Sequence, residues 1–548
     1  MPEPLQSQFS IALGGESAPA EFMRSLEHVT VETSLHLPDV ATLVLHDPNL
    51  LWIDHAVVMP GVAVRVVAQA GRNEATIFDG EIVEIEPEFA ATQRLTVRAF
   101  DRLHRLARGT HVRSFVNVTD GDVIEQLARE VGLQAQIGPT RQVYPYLLQA
   151  NETNLAFLQR RAALLGYLLY VEHSTLFCVA PEPQRAPLQL AWGDTLYEFR
   201  PRMTTIGQVD KTIVRGWDPA SKQQLLGEAR GSNTAPQVGV EGDGAAVAAR
   251  AFNIEARHQI ADRPVYAQSL ADYLALAGAE RHASHFIEAD GLCAGQPTLV
   301  AGVQLAIRDV GQRFSGTYFV TSATHSASPG QGYQTSFGIS GLQPATLLGL
   351  LLPEQAAPPG PGLVIGVVSD NADPAGLGRV RLTFPWLSPD HASDWARVTS
   401  VGGGQRRGIE FLPEIGDEVL VGFEMGDIHY PYVLGGLWNG IDPPPQSAAD
   451  ALKGSTVRRR AIVSRSGHTI VLDDDEHGGI SIADRAGNCV VIDTSTNALT
   501  ISVRGDISLQ SDANLALKAK GNISIEGQGV QIKGQASVDI TGTMINLN

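Results

Sequence analysis

The tail of this chain limits what the whole can be. From Gly505 to Val530 it reads GDISLQSDANLALKAKGNISIEGQGV, with apolar residues paired one residue apart: Ile507/Leu509, Leu515/Leu517 and Ile523/Ile525. Each pair follows the last by eight residues, and Gly505, Gly521 and Gly529 punctuate the interval. Further pairs precede it (Ile470/Leu472, Ile480/Ile482, Val490/Ile492, Leu499/Ile501) and follow it (Val530/Ile532, Val538/Ile540, Ile545/Leu547). The spacing tightens along the tail, from a hairpin meander to near-regular octads. Residues two apart on a strand share a face, and glycine turns the corner between short strands. Each aliphatic side chain contributes roughly 1.5–3 kcal/mol if fully buried. One chain that must supply every wall of a solenoid needs about 20 residues or more per turn. An octad is too short for that, but sufficient if three chains each supply one wall. The spacing therefore predicts an intertwined trimeric β-helix or β-prism, with Ser508, Asp512, Lys518, Lys520, Glu526, Lys533 and Asp539 on its solvated exterior. A calcium-binding β-roll would carry GGxGxD nonapeptides, and the sequence has none.

A chain of 548 residues exceeds a single core and implies roughly three or four domains. Its net charge of −18 argues against nucleic acid or anionic lipid as the main partner, since both require basic patches. Cys178, Cys293 and Cys489 are far apart and form no CxxC pair, so neither a disulfide framework nor a zinc site is expected. The opening MPEPLQSQFSIALGG has no basic n-region and does not read as a secretory signal. The longest apolar run, LLGLLL at Leu347–Leu352, falls far short of the ~20 residues of a membrane span. The expectation is a protein made in the cytoplasm without a signal peptide.

Strand-like alternation fills residues 22–100. Three helical stretches follow: GDVIEQLAREVGL; NETNLAFLQRRAALLGYLLYV, with Asn151 and Thr153 as candidate caps; and a third from about Tyr266 to Glu288. Residues 168–260 read as short strands, and strands resume at TLVAGVQLAIRD and GTYFVTSATHSAS. The segment PEQAAPPGPG then marks a stiff boundary. After it, GLVIGVVSD, GRVRLTF, WARVTS, DEVLVGFE and YPYVLGGLW predict a small five-stranded barrel of the OB type. A second linker, IDPPPQSAADALKGS, leads into the repeats. The expected organisation is a hub over 1–352, a Pro/Gly linker over 353–362, an OB-fold domain over 363–440, a linker over 441–460 and a spike over 461–548. The fold class is mainly β with some helices.

Several groups invite a chemical reading and admit a plainer one. Asp473, Asp474, Asp475 and Glu476 offer carboxylates for a divalent cation, but Gly478-Gly479 follows, and a hairpin turn explains the run better. His282, His285 and Glu288 lie on one helical stretch without an HExxH motif and read as a solvated face. The glycine-rich GGGQRRG at Gly402–Gly408 lacks the GKS or GKT of a phosphate loop, and no GxSxG elbow occurs. Trp386, Trp395 and Trp438 stand at strand ends of the barrel and fit core or trimer packing better than ligand stacking. No catalytic residue, cofactor site or metal site is nominated.

The order of parts resembles the VgrG-type spike of contractile injection systems, equivalent to the fused baseplate hub and central spike of contractile-tailed phages. The likeness rests on AFDRLHRLARG, NETNLAFLQRRAALLGYLLYV and GTYFVTSATHSASPGQGYQTSFG in the hub. It continues through GVVSDNADPAGLGRVRLTFPW and EFLPEIGDEVLVGFEMGDIHYPYVLGGLWN in the barrel, and SGHTIVLDDDEHGGISIADRAGNCVVID at the start of the needle. The resemblance implies a non-enzymatic homotrimer that adapts an inner tube to a baseplate and meets a target membrane transiently. A PAAR-type tip protein would cap it, and no nucleic acid is involved. The trimer core expected in the needle is Ile507, Leu509, Leu515, Leu517, Ile523, Ile525, Val530, Ile532, Val538, Ile540, Ile545 and Leu547. About twenty residues separate Asn439 from the needle, too few for an inserted lysozyme. The sequence ends at Asn548, after the last pair, and has no histidine beyond His477, so a spike without an appended effector or its own metal tip is expected. The alternatives are a depolymerase or lysozyme-bearing tail protein and an adhesin fibre. The sequence leaves open whether the machine is an extracellular particle, a type VI secretion system or a phage.

Overall fold

The computed structural model describes residues 8–35, 37–181, 186–219, 221–232, 235–328, 332–342 and 362–546. Most of the expected Pro/Gly linker, and Leu547, lie outside the described residues. The chain divides into two units, Met1–Leu437 and Trp438–Asn548.

The backbone of the first unit is an eleven-stranded antiparallel sheet. It runs from Leu196–Met203 through Ile287–Ala294, Gly332–Ile339 and Ser322–Ser328 to Leu26–Ser34. From there it continues through Val40–His46, Gln93–Asp101, Asn73–Phe89, Ala63–Ala70 and Phe9–Leu13 to Glu16–Ser17. The seam between its early and late halves is the pairing of Ser322–Ser328 with Leu26–Ser34, where His325 lies opposite Val31. Each half has its own core. Phe9, Phe22, Val29, Leu43, Trp52 and Val97 belong to the first, and Leu196, Phe286, Leu305, Tyr318 and Phe337 to the second.

Between these halves in sequence lies a helix-bearing module with a third core, including Leu103, Ile124, Phe157 and Leu169. Helix Asp120–Glu130 starts where Thr119 and Asp122 form a capping box: the Asp122 amide donates to Thr119 Oγ1, and the Thr119 amide donates to Asp122 Oδ2 at 2.7 Å. Helix Asn154–Leu165 is capped by Thr153 and ends at Gly166, whose φ of +69° suits a left-handed C-terminal residue. The expected continuation GYLLYV is instead the strand Leu168–Glu172, because Gly166 turns the chain out of the helix. Asn151, the other candidate cap, belongs to the preceding strand with φ +52°. The third helix spans Gln268–Ser284, shorter than expected at both ends, and the chain re-enters the large sheet at Ile287. A further helix, Gly244–Phe252, was not expected; Asp243 caps it by accepting from the Ala246 amide.

The last part of the first unit is a six-stranded sheet in the order Ser388–Ala392, Arg381–Phe384, Val364–Asp370, Glu418–Phe423, Pro431–Gly436, Arg397–Val398. Reciprocal backbone bonds between Val380 and Ala396, of 3.0 and 2.7 Å, link the start of Arg381–Phe384 to the start of Arg397–Val398 and close the sheet into a barrel. Val368, Leu382, Phe384, Val419, Val421 and Val433 fill it. The additional strand is Ser388–Ala392, whose SPDHA carries too little apolar alternation to read as one.

In the second unit, the segment expected as a linker holds a short helix, Ala448–Ala451, capped by Ser447, and a hairpin of Leu452–Lys453 with Thr456–Val457. Five antiparallel strands follow in sequence order: Arg459–Val463, Thr469–Asp473, Gly479–Ala483, Cys489–Asp493 and Ala498–Ser502. Beyond them the described residues carry no strand paired within the chain. Among the described residues no helix is long and apolar enough to cross a membrane.

Candidate functional site: an unpartnered shaft and a fastened barrel

The register of the five-stranded meander aligns the apolar pairs into two columns on one face. Ile462 lies opposite Ile470, then Ile482, Val490 and Ile501; Leu472 lies opposite Ile480, then Ile492 and Leu499. A column of this kind normally covers a core. Here Ile462, Ile470, Leu472, Ile480, Ile482, Ile492, Leu499 and Ile501 remain 41–64% exposed in the single chain. An aliphatic face of that extent needs a cover.

The octads repeat the situation more severely. Ile507, Leu509, Leu515, Leu517, Ile523, Ile525, Val530, Ile532, Val538, Ile540 and Ile545 are all 49–67% exposed. Among the described residues, none of them is brought to a core of the chain's own, and no strand pairs with the backbone between them.

The carboxylate run closes a hairpin, since Asp473 pairs with Gly479 across the turn. Cations from the preceding segment hold it: Arg459 on Asp473 at 2.6 Å, Arg460 on Asp474, and Lys453 and Arg458 on Asp475 at 2.6 and 3.2 Å. The Lys453 hydrogen bond, first among several, draws the Asp475 carboxyl down to about 2. Those carboxylates are engaged in fixing the turn. His285 Nδ1 meets Glu288 at 2.9 Å, and Arg202 also pairs with Glu288. The His282 ring lies 4.5 Å from that of His258. Among the described residues no group of three or more His, Cys, Asp or Glu side chains is arranged to hold a metal. Gly402–Gly408 is a tight loop bridged between Gly404 and Arg407. Trp395 carries Arg381 over its ring at 5.0 Å, whereas Trp386 and Trp438 are exposed.

Sequence reasoning missed a polar seam that binds the barrel to the hub. The barrel turn Glu424–Tyr430 is set by backbone bonds and by Met425 at φ +49°. From it, Glu424 accepts from both Tyr266 of the hub and Tyr432 of the barrel. The Tyr266 and Tyr430 rings meet at 4.4 Å. His429 Nε2 reaches the Leu148 carbonyl at 3.0 Å, and Ser114 Oγ meets His391 Nδ1 at 3.4 Å. Behind the seam, Arg161 donates to Asp120 at 2.6 Å and its guanidinium covers the Tyr144 ring at 4.5 Å. Burial opposes the Arg161 charge, but Asp120 and Tyr144 together outweigh it and raise its pKa. The stretch GDIHYPY did stand out in the sequence. Its partners Leu148 and Tyr266 lie far upstream, and no local pattern points to them.

With this geometry in view, known proteins give consistent likenesses. Residues 364–438 match the family model described as the type VI secretion system/phage-baseplate injector OB domain. Residues 6–328, more than half the chain, match the Alg8 N-terminal domain. The type VI secretion system spike protein VgrG1a of Pseudomonas aeruginosa is 26% identical over 379 residues, covering 62% of this chain and 56% of that protein. VgrG1b of the same organism is 24% identical over 395 residues, covering 65% and 50%. The chain thus spans about half the length of these curated relatives. Among solved structures, the E. coli c3393 protein, described as a component of the type VI secretion system, aligns with a TM-score of 0.49 at 15% identity, over 78% of this chain and 99% of its own.

A mainly β N-terminal part, an injector-type OB barrel and a repeat-bearing tail together define a phage-baseplate-type spike protein. The chain belongs to the Alg8 N-terminal domain family through residues 6–328, and its order of parts is that of a VgrG-type spike.

Proposed function

We propose that three copies of this chain form the non-enzymatic spike and hub of a contractile injection system. Residues 1–352 serve as the hub that adapts the inner tube to the baseplate, 363–440 as the OB collar and 461–548 as the needle. The observation that carries the reading is the exposed apolar ladder of the tail, which no described residue of its own chain covers. Ile507, Leu509, Leu515, Leu517, Ile523, Ile525, Val530, Ile532, Val538, Ile540, Ile545 and Leu547 form the dry core of the trimer. Burying them contributes roughly 1.5–3 kcal/mol per side chain, and ladders between chains satisfy the backbone.

In this reading contraction of a sheath drives the tube, and the shaft passes the force to the target membrane as a rigid point. A PAAR-type protein caps it. The protein is made in the cytoplasm, assembled into the apparatus and delivered outward. The turn carboxylates already engaged by Lys453, Arg458, Arg459 and Arg460 fit a structural role.

Light scattering of the purified protein is expected to give about 176 kDa, three times the 58.6 kDa chain. Replacing Leu515, Leu517, Ile523 and Ile525 together by Ser should abolish the needle in electron micrographs. A folded monomer in the wild type, or an intact needle in the variant, would refute the proposal.

A further inference from the structure

His429 lies at the centre of the hub–barrel seam, and its two ring nitrogens set a demand on its protonation. Nδ1 is 2.6 Å from Asp427 Oδ1, and Nε2 is 3.0 Å from the Leu148 carbonyl oxygen. Both partners are acceptors. The Asp427 carboxylate carries no hydrogen when ionised, and a backbone carbonyl never does. A neutral imidazole owns a single N–H and would present a lone pair to one of them. Both contacts are satisfied only when each nitrogen bears hydrogen.

We propose that His429 is an imidazolium in the folded protein and acts as a proton-operated latch between the OB barrel and the helix-bearing module of the hub.

One end of the latch is tied firmly. Asp427 Oδ1 also accepts from the His429 amide at 3.0 Å, which fixes the carboxylate beneath the ring. Burial works against the Asp427 charge, but the His429 ring outweighs it and holds the carboxyl below its usual range. The other end is a main-chain oxygen on the strand Val143–Glu152, which is paired along its length with His111–Thr119. That carbonyl is rigid, and the hydrogen must come from His429. Loss of the proton leaves one bond where there were two.

The neighbouring charged and titratable groups are Glu424, Asp427, Tyr430 and Asp394 on the barrel side. On the hub side they are Tyr144, Arg160, Arg161 with Asp120, and Glu152, which pairs with Arg160 at 2.7 Å. Burial pushes the Tyr144 and Tyr430 hydroxyls up from the ordinary tyrosine range, so both stay protonated near neutral pH. Histidine is the side chain whose ordinary titration falls near neutral pH. His391 also touches the seam, but its partner is the Ser114 hydroxyl, which donates or accepts as required. It sets no comparable demand. The latch therefore closes in acid and loosens as the pH rises.

Hydrogen exchange of the full chain tests this at about pH 5.5 and about pH 8.5, on either side of the ordinary histidine range. Peptides covering Tyr146–Gln149 and Asp427–Tyr432 are followed, each normalised to the unfolded rate at that pH. Wild-type protection should fall roughly tenfold at the higher pH, the loss of one charge-assisted hydrogen bond. His429→Gln and Asp427→Asn should show no such change. Equal wild-type protection at both pH values overturns the latch, and so does an unchanged pH ratio in a folded His429→Gln variant. Where neither variant folds, the wild-type pair of measurements decides alone.

Discussion

His325 shows how one buried side chain imposes a pH dependence on the fold. It is fully buried on the strand that joins the two halves of the large sheet, with Nδ1 at 2.8 Å from the Tyr333 hydroxyl. Burial pushes its pKa down to about 4. The unfolded chain takes up this proton near pH 6.5, so between 6.5 and 4 the unfolded state binds more protons and stability falls as the pH falls. The full difference is on the order of 3 kcal/mol. Denaturant titrations of wild type and His325→Gln across this window should show the wild type losing that much relative to the variant; parallel curves would contradict it. The comparison is needed because Asp101, which burial pushes up to about 7, favours the fold in acid. That effect is common to both proteins and cancels. At the same scale, Arg161 and Asp120 place a charge pair among apolar side chains, an arrangement whose partners are tolerated only together.

Among the elements, the meander depends on close backbone approach. A Cβ on Gly479 would stand 1.9 Å from the Ile492 carbonyl oxygen of the adjacent strand. Gly479→Val should cost about 1–3 kcal/mol through overpacking and leave the tail sensitive to protease while the hub resists. An equally resistant tail would contradict the register. Much of this element was legible in the sequence, because a two-residue period names the face and Gly467, Gly478 and Gly487 mark corners between the strands. The barrel strands were legible for the same reason, except Ser388–Ala392, whose polar residues give no period. Helix starts were readable within a few residues at GDVIEQLAREVGL and at Thr153, but helix ends were not. Gly166 stops its helix inside an apolar run that reads continuously as LLGYLLYV. The seam was the least legible part. Hydrogen bonds from Tyr266 to Glu424 and from His429 to Leu148 join positions that only the tertiary fold brings together.

At the scale of the molecule, the two units hold themselves together by different means. The first closes its cores within one chain, whereas the tail leaves its aliphatic face open. If three tails complete one another, their stability rises with concentration by about 0.9 kcal/mol per chain for each tenfold increase. Denaturation followed at two concentrations should therefore shift the tail transition and leave the hub transition fixed; a tail that ignores concentration would point to closure within one chain. The large sheet has a consequence of another kind, measured in time. Strand Leu26–Ser34 pairs on one edge with Val40–His46, but its other edge waits for Ser322–Ser328. At about 5–20 residues per second, a ribosome needs roughly 15–60 s to make the intervening chain. Throughout that interval a nine-residue strand presents unpaired amides and carbonyls to whatever other strand passes. The hub, made first and closed late, is thus the part of the nascent protein with most need of a chaperone.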